Sequence, residues 1–340
     1  MPISIKDVAA KAGVSTATVS HVLNETRKIS PATRKRVLAA VDALGYSINR
    51  AARNLAMGRR SSLLGVLISD IRNPFFPDIV ASFQDQALLH QLEALVLNTN
   101  YDPARMVDCV KRLLGLQIAG AAVFTSQLDP SVSAMLTGAD VPTVYLDLGR
   151  VGRGVSNIAV DYEQGIAEGL EHLRQLGHRS IAYVGGPVHL VSAQRRKRAF
   201  IESAGRLGLT PVAAIDGDFS VKGGYDASSS LLASAVGARP SAIMAGNDLS
   251  AIGALHAAYD LRLDVPRDLS IVGFDDIEFA RYTQPALTTV SVPRDEIGRV
   301  AFDALNRLLK NPDLAGAEYR VRTSLSFRQS TAAPPATKTT

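Results

Sequence analysis

At 340 residues, with 46% hydrophobic and 20% charged side chains, the chain is long enough to bury a sizeable core and to form two or three domains. No apolar run reaches the ~18 residues of a membrane span, and the opening MPISIKDVAAKAG is amphipathic rather than a basic head before an apolar stretch, so the reading predicts no secretory signal, no membrane partner and a cytoplasmic protein. The formal charge of +5 is unevenly spread: residues 1–60 hold eleven Lys/Arg against three acids, net +8, and the remainder holds 26 against 29, net −3. A basic segment on a mildly acidic body is the pattern of a polyanion-binding module joined to another function, although a solvated basic face would give the same count.

The first 45 residues read as three short helices. SIKDVAAKAG offers Ser4 as a cap, Ile5, Val8, Ala9 and Ala12 at helical spacing, and Gly13 as a left-handed stop. Ser15 caps the next helix, whose stripe is Val19, Val22 and Leu23 and whose other face shows Thr16, Ala17, Ser20 and His21. ISPATRKRVLAAVDALGY starts a third at Ser30 and Pro31, with Val37, Leu38, Val41 and Leu44 expected inward and Gly45 as the stop. Three such helices around one apolar cluster make a helix-turn-helix unit. The small polar face of the second helix suits the major groove, where base edges offer donors, acceptors and thymine methyls. On this reading Thr16, Ala17 and His21 discriminate among bases, while Ser15, Thr18, Ser20 and Asn24 set position on phosphate.

NRAARNLAMGRR, residues 49–60, carries Ala51, Ala52, Leu55 and Ala56 at helical spacing but spans only about two turns, too short to persist alone in water. From residue 62 the pattern changes to βα units. LLGVLIS, EALVLNT, GAAVFTS and PTVYLDL read as buried strands alternating with helices, and SNIAVD, SIAYVGG, VAAID, SAIMAG and LSIVGFDD repeat the pattern. Two runs of strands with crossover helices predict two doubly wound parallel-sheet subdomains, with a ligand cleft at the carboxyl ends of the strands. The organisation expected from these patterns is residues 1–47 as an all-α helix-turn-helix domain, 48–61 as a short helical linker, 62–330 as a two-lobed α/β ligand-binding body, and 331–340 as a Pro/Ala/Thr-rich disordered tail.

IKDVAAKAGVSTATVSHVLN, TRKRVLAAVDALGYSINRAARNLA and, far downstream, GFDD closely resemble the LacI/GalR family of bacterial transcription regulators, over nearly the whole chain. The resemblance implies a periplasmic-binding-protein-like body and a homodimeric repressor on a palindromic double-stranded operator, and it makes 48–61 the hinge helix and linker and 62–330 the effector-binding and dimerisation domain. It also implies a hinge of Asn49, Arg50, Arg53, Leu55 and Ala56 that folds in the minor groove, with Leu55 as the wedge.

Strand ends supply the candidate effector residues Asn73, Phe75, Asp147, Ser192, Arg196, Phe219, Asn247 and Asp275. Carboxylates, amides and a guanidinium suit hydroxyl-rich ligands, and an aromatic ring covers a sugar's C–H face. Of these, Ser192, Arg196, Asn247, Asp275 and the wall residue Phe219 match effector contacts of the family. Leu190 stands where a purine-responsive member has arginine, and Val292 where a lactose-responsive member has glutamine. A sugar or polyol is therefore favoured over a purine or nucleoside, the alternative effector.

Catalytic and metal chemistry find no support in the sequence, and no cofactor is expected. The six histidines have no metal-ligand spacing, and no P-loop, GxSxG or GxGxxG occurs. His172 and His178 fall around a helix end, where a dipole partner is the plain role. Asp275 and Asp276 are strand neighbours that point to opposite sides. The single cysteine, Cys109, lies in a helical segment as a buried thiol. A solute-binding protein without DNA activity is the other functional class, and the basic front module argues against it.

Overall fold

The computed structural model describes residues 3–24, 26–46, 61–125, 130–233, 239–311 and 313–335. The chain divides into two units, Met1–Ser61 and Ser62–Thr340.

The first unit contains α1 (Ile5–Ala12), α2 (Thr16–Asn24) and α3 (Pro31–Leu44). Ser4 starts α1: its N–H and hydroxyl donate to Asp7 Oδ2 at 2.8 and 2.7 Å, which holds the Asp7 carboxyl below its usual range. Gly13 ends the helix at φ 61°, and Val14 N–H reaches back to Ala9 O at 3.0 Å. Ser15 Oγ accepts from Thr18 N–H at 3.1 Å and Ser30 Oγ from Thr33 N–H at 3.3 Å, so both predicted caps form. Val8, Ala9, Ala12, Val19, Val22, Val37 and Ala40 build the core. Leu38 does not join them and is 42% exposed. At 100° per residue it falls off the stripe set by Val37, Ala40, Val41 and Leu44.

The second unit holds two six-stranded sheets. The first contains β1 (Leu63–Ile68), β2 (Glu93–Asn98), β3 (Gly120–Phe124), β4 (Thr143–Leu146), β5 (Val155–Val160) and the late strand β11 (Glu318–Val321), in the order β11-β5-β4-β3-β1-β2, all parallel. The second contains β6 (Ser180–Val184), β7 (Thr210–Ile215), β8 (Ala242–Ala245), β9 (Ser270–Asp275), β10 (Thr288–Ser291) and β12 (Ser324–Ser326), in the order β12-β10-β9-β8-β6-β7, with only β12 antiparallel. The first lobe's helices are α4 (Phe75–Leu89), α5 (Pro103–Gly115) and α6 (Pro130–Gly138). α7 (Tyr162–Gln175), α8 (Val191–Arg206), α9 (Val221–Leu232) and α10 (Asp248–Asp260) cover the second, and α11 (Arg294–Lys310) returns to pack on α4 and β3 to β5 of the first. The chain thus passes between lobes after β5, after β10 and between β11 and β12. The largest buried cluster runs from Leu64, Val66 and Phe83 through Tyr162 to Met244, Val272 and Phe274, so the lobes share a continuous core. Among the described residues no helix is long and apolar enough to cross a membrane.

The start of the tail, at Thr331 and Ala332, departs from the expectation of disorder. Ser330, Thr331 and Ala332 run beneath the second sheet, where Ser330 O accepts from Ile271 N–H at 2.8 Å and Ser330 Oγ accepts from Thr288 N–H at 2.8 Å. His178 is buried there, with Nε2–H donating to Ala332 O at 2.8 Å and Nδ1 2.9 Å from Ser241 Oγ, and His172 Nε2 lies 2.9 Å from Thr331 Oγ1. Both histidines hold the tail, His172 from the last turn of α7, where the sequence places it. Composition mislabels the start of this segment because Ser330 and Ala332 bond to the first residues of the interior strands β9 and β10, which a Pro/Ala/Thr count does not register. Residues 336–340 lie outside the described residues.

Candidate functional site

The parallel sheets end toward each other, and nearly every strand end delivers a side chain to one cavity. Asn73 follows β1, Tyr101 follows β2, Thr125 follows β3, Asp147 follows β4 and Tyr162 follows β5; Phe219 follows β7, Asn247 follows β8 and Asp275 ends β9. Phe75 and Phe76 come from the first turn of α4, and Ser192 and Arg196 from α8. All eight sequence-predicted effector residues line this cavity. Tyr101, Tyr162 and Thr125 were not anticipated.

Arg196 is the centre of the site. Its side chain is buried, Nη1 donates to Gly246 O at 2.5 Å and Nη2 to Asp275 Oδ1 at 3.1 Å. The guanidinium carbon lies 4.2 Å from the Phe274 ring centroid, 4.8 Å from Tyr162 and 5.6 Å from Phe219, a cationic group held in an aromatic cage. Its Nε–H makes no hydrogen bond. Burial pushes the Asp275 carboxyl upward, and Arg196 and Arg294 oppose that shift. Burial likewise raises Tyr101, to about 12.

The run Arg195-Arg196-Lys197-Arg198 reads as a charge cluster, yet successive helix positions turn 100° and every cation is paired, Arg195 and Arg198 sharing Glu163 at 3.6 and 4.0 Å. Arg195 Nη1 reaches Asp147 Oδ1 at 3.2 Å, Lys197 reaches Asp216 at 2.7 Å, and Arg198 lies 3.6 Å from Glu202. Asp147 is fully engaged within the protein, because it also accepts from Val160 N–H at 2.9 Å and Tyr162 hydroxyl at 2.5 Å. Asn247 caps α10, accepting from Ser250 N–H at 2.9 Å, while its Nδ2 donates to Phe219 O at 3.0 Å. That bond fixes Phe219 at φ 63°, and the ring lies so close to Gly186 that a Cβ there would stand 2.2 Å from Phe219 Cζ. Asp275 and Asp276 diverge as expected: Asp276 faces Arg328 at 2.5 Å and Ser326 at 3.2 Å. Arg294 is a further unanticipated participant, bonding Asp78 of α4 at 2.8 Å and the carbonyls of Asp275 and Asp276. Leu190 is buried against Ala193 and Phe219, and Val292 lies in the apolar core, so neither brings a polar atom to the cavity.

On α2, Thr16 and Ala17 are exposed, and Thr18, Ser20 and His21 are half-buried. Ser15 and Thr18 hydroxyls lie 2.9 Å apart, and His21 Nδ1 lies 2.8 Å from Thr26 Oγ1. The Asn24 side chain and the hinge residues Asn49, Arg50, Arg53, Leu55 and Ala56 lie outside the described residues. No group of three or more potential metal ligands occurs among the described residues.

Comparison with known proteins joins the two halves. Residues 4–49 match the bacterial regulatory proteins of the lacI family, and residues 170–331 match the periplasmic binding protein-like domain. The chain is similar to catabolite control protein A of Priestia megaterium, 31% identical over 97% of this chain and 100% of that one. It is 33% identical to the ribose operon repressor of Escherichia coli, over 92% and 94% of the two chains. The structure of the lac repressor dimer bound to operator and the anti-inducer ONPF matches with a TM-score of 0.85 at 31% identity, covering 98% of this chain and 100% of that one. With the front helices, the paired lobes and full-length relatives in agreement, the chain belongs to the LacI family of bacterial regulatory proteins, DNA-binding transcription regulators and not enzymes.

Proposed function

We propose that this chain is a cytoplasmic, homodimeric repressor of a two-fold operator, controlled by a small hydroxyl-rich effector, a sugar or polyol, in the inter-lobe cavity. In this reading Thr16, Ala17 and His21 read bases, Ser15, Thr18, Ser20 and Asn24 contact phosphate, and the 48–61 segment folds as a hinge in the minor groove with Leu55 as its wedge. One recognition helix per subunit requires two subunits for a two-fold site.

The observation that carries the effector reading is the convergence of Asn73, Phe75, Ser192, Arg196, Phe219 and Asp275 on one cavity with the Arg196 Nε–H unpartnered. A hydroxyl oxygen would accept from Nε, and its proton would go to the Asp275 carboxylate. Asp147 and Asn247 serve this reading as supports for the walls, since their polar atoms are already bonded. The buried apolar side chain of Leu190 disfavours a purine's polar edge.

The test is titration of the full chain onto the DNA upstream of its own gene, with a sugar, polyol and purine panel screened by thermal shift. Binding should weaken linearly in log–log form with salt, at a slope of about −0.9 per neutralised phosphate. A flat salt dependence would refute the DNA reading, and a screen in which only purines bind would refute the effector class.

A further inference from the structure

The cavity adjoins a second, more open space, here called the mouth, lined by Asp70, Arg72 and Ser220 among others, and shares Asp147 with a further space lined by Val191 and Arg195. The cavity and the mouth share Asn73, Tyr101 and Phe219. The inner chamber encloses about 30 Å³ and the mouth about 350 Å³. On that scale the chamber has room for about two waters. A sugar ring does not fit unless something moves.

We infer that Tyr101 is the gate of the chamber: its ring crosses the cleft from the first lobe, plugs the passage to the mouth against Phe219, and must withdraw for a ligand to pass. Tyr101 stands on the β2 loop, yet it packs on Leu190, Ala193 and Phe219 of the second lobe. Asn73, from its own lobe, lines both spaces beside it. Asn100 and Tyr101 both have φ 56°, a left-handed pair that aims the loop across the gap. Arg72 braces that loop through Asn100 Oδ1 at 3.1 Å, and Tyr101 N–H donates to Ser69 O at 3.3 Å. Phe219, the opposing face, is fixed by Asn247 and by the absence of a side chain at Gly186. The gate is thus a single aromatic side chain on a braced loop, closing on a rigid partner.

This inference rests on the reading that the chamber holds the effector, and its test uses no effector, so the two can fail separately. Ser192, 4% exposed, lines the chamber, and the only native thiol, Cys109, is 7% exposed and lies in α5, away from the cavity. In a Ser192→Cys protein, labelling by methyl methanethiosulfonate reads gate opening at position 192, and Cys109 serves as internal reference. We expect slow labelling at 192 in the parent and acceleration of roughly tenfold or more in Tyr101→Ala, the scale set by removing a large apolar contact. The Cys109 rate should stay unchanged, and Tyr101→Phe should stay near the parent. Tyr101→Leu, which keeps an apolar plug without the ring's reach, carries the same test if the alanine variant does not fold. Fast labelling in the parent, no acceleration in the variants, or equal acceleration of both thiols would overturn the gate.

Discussion

Asp275→Asn removes the carboxylate paired directly with a buried guanidinium, and the structure sets how much that should cost. Breaking a buried ion pair by deleting one partner typically destabilises by about 3–5 kcal/mol. Here the pair is one hydrogen bond of 3.1 Å, longer than a strong charge-assisted contact. Arg196 also keeps its bond to Gly246 O and its place 4.2 Å from the Phe274 ring. Those contacts offset about 1–2 kcal/mol, leaving an expected loss of about 1–4 kcal/mol. Arg196→Met should cost a similar amount, because it strands a carboxylate that burial already disfavours. The double variant should lose less than the sum, with a coupling of about 1.5–3 kcal/mol. Urea unfolding of the four proteins at pH 7 reads this, provided the slopes agree. Single-variant losses that add within about 0.5 kcal/mol would show that the two groups do not act as a pair and would remove the centre of the proposed site.

Other consequences can be measured independently. His21→Ala should weaken binding to the cognate operator by about 1–3 kcal/mol and relax preference at one position of each half-site; an unchanged base preference would take His21 out of the reading face. Gly186→Ala should destabilise the protein by about 1–3 kcal/mol, because the new Cβ meets the Phe219 ring, and Phe219→Leu in the same background should recover part of the loss. The pH dependence follows from His178, whose imidazole burial holds below its ordinary 6.5. The unfolded chain then takes up the proton first, so this contribution is intact above about pH 6.5 and is lost as pH falls through the lowered folded-state value. Urea midpoints should drop over that window and drop less in His178→Gln, and equal slopes in the two proteins would contradict the assignment.

The caps and stops at Ser4, Gly13, Ser15, Ser30, Pro31 and Gly45 were legible because each acts through its own backbone within a few residues. The strands of the two lobes were legible because parallel strands buried on both faces leave continuous apolar runs. The short β10, β11 and β12 were not, since sequences such as EYRV and SLS carry too few residues to show a period. Helix α11 does show one, in Ile297, Ala301, Leu305 and Leu308, so its stripe is readable, but its return to the first lobe is a long-range pairing that no local pattern encodes. For the site, strand ends pointed to the right residues but not to their duties. Asp147 and Asn247 look like free ligand acceptors in the sequence, but Asn247 Oδ1 caps its own helix at Ser250, its amide nitrogen goes to Phe219 O, and Asp147 is taken by Val160, Tyr162 and Arg195. Tyr101 sits in a polar loop, and its importance comes from contacts made across the cleft.

The central claim is that occupancy of the cavity and occupancy of the operator are one linked equilibrium. A ligand shifts operator affinity only by its differential affinity for the two states, and linkage makes the effect reciprocal. Calorimetric titration of the effector found by thermal shift, into the full-length protein alone and into its operator complex, measures that linkage directly. The account predicts effector affinities that differ by the same factor by which effector changes operator affinity, about 5 to 150-fold. Equal effector affinities in the two titrations would contradict it.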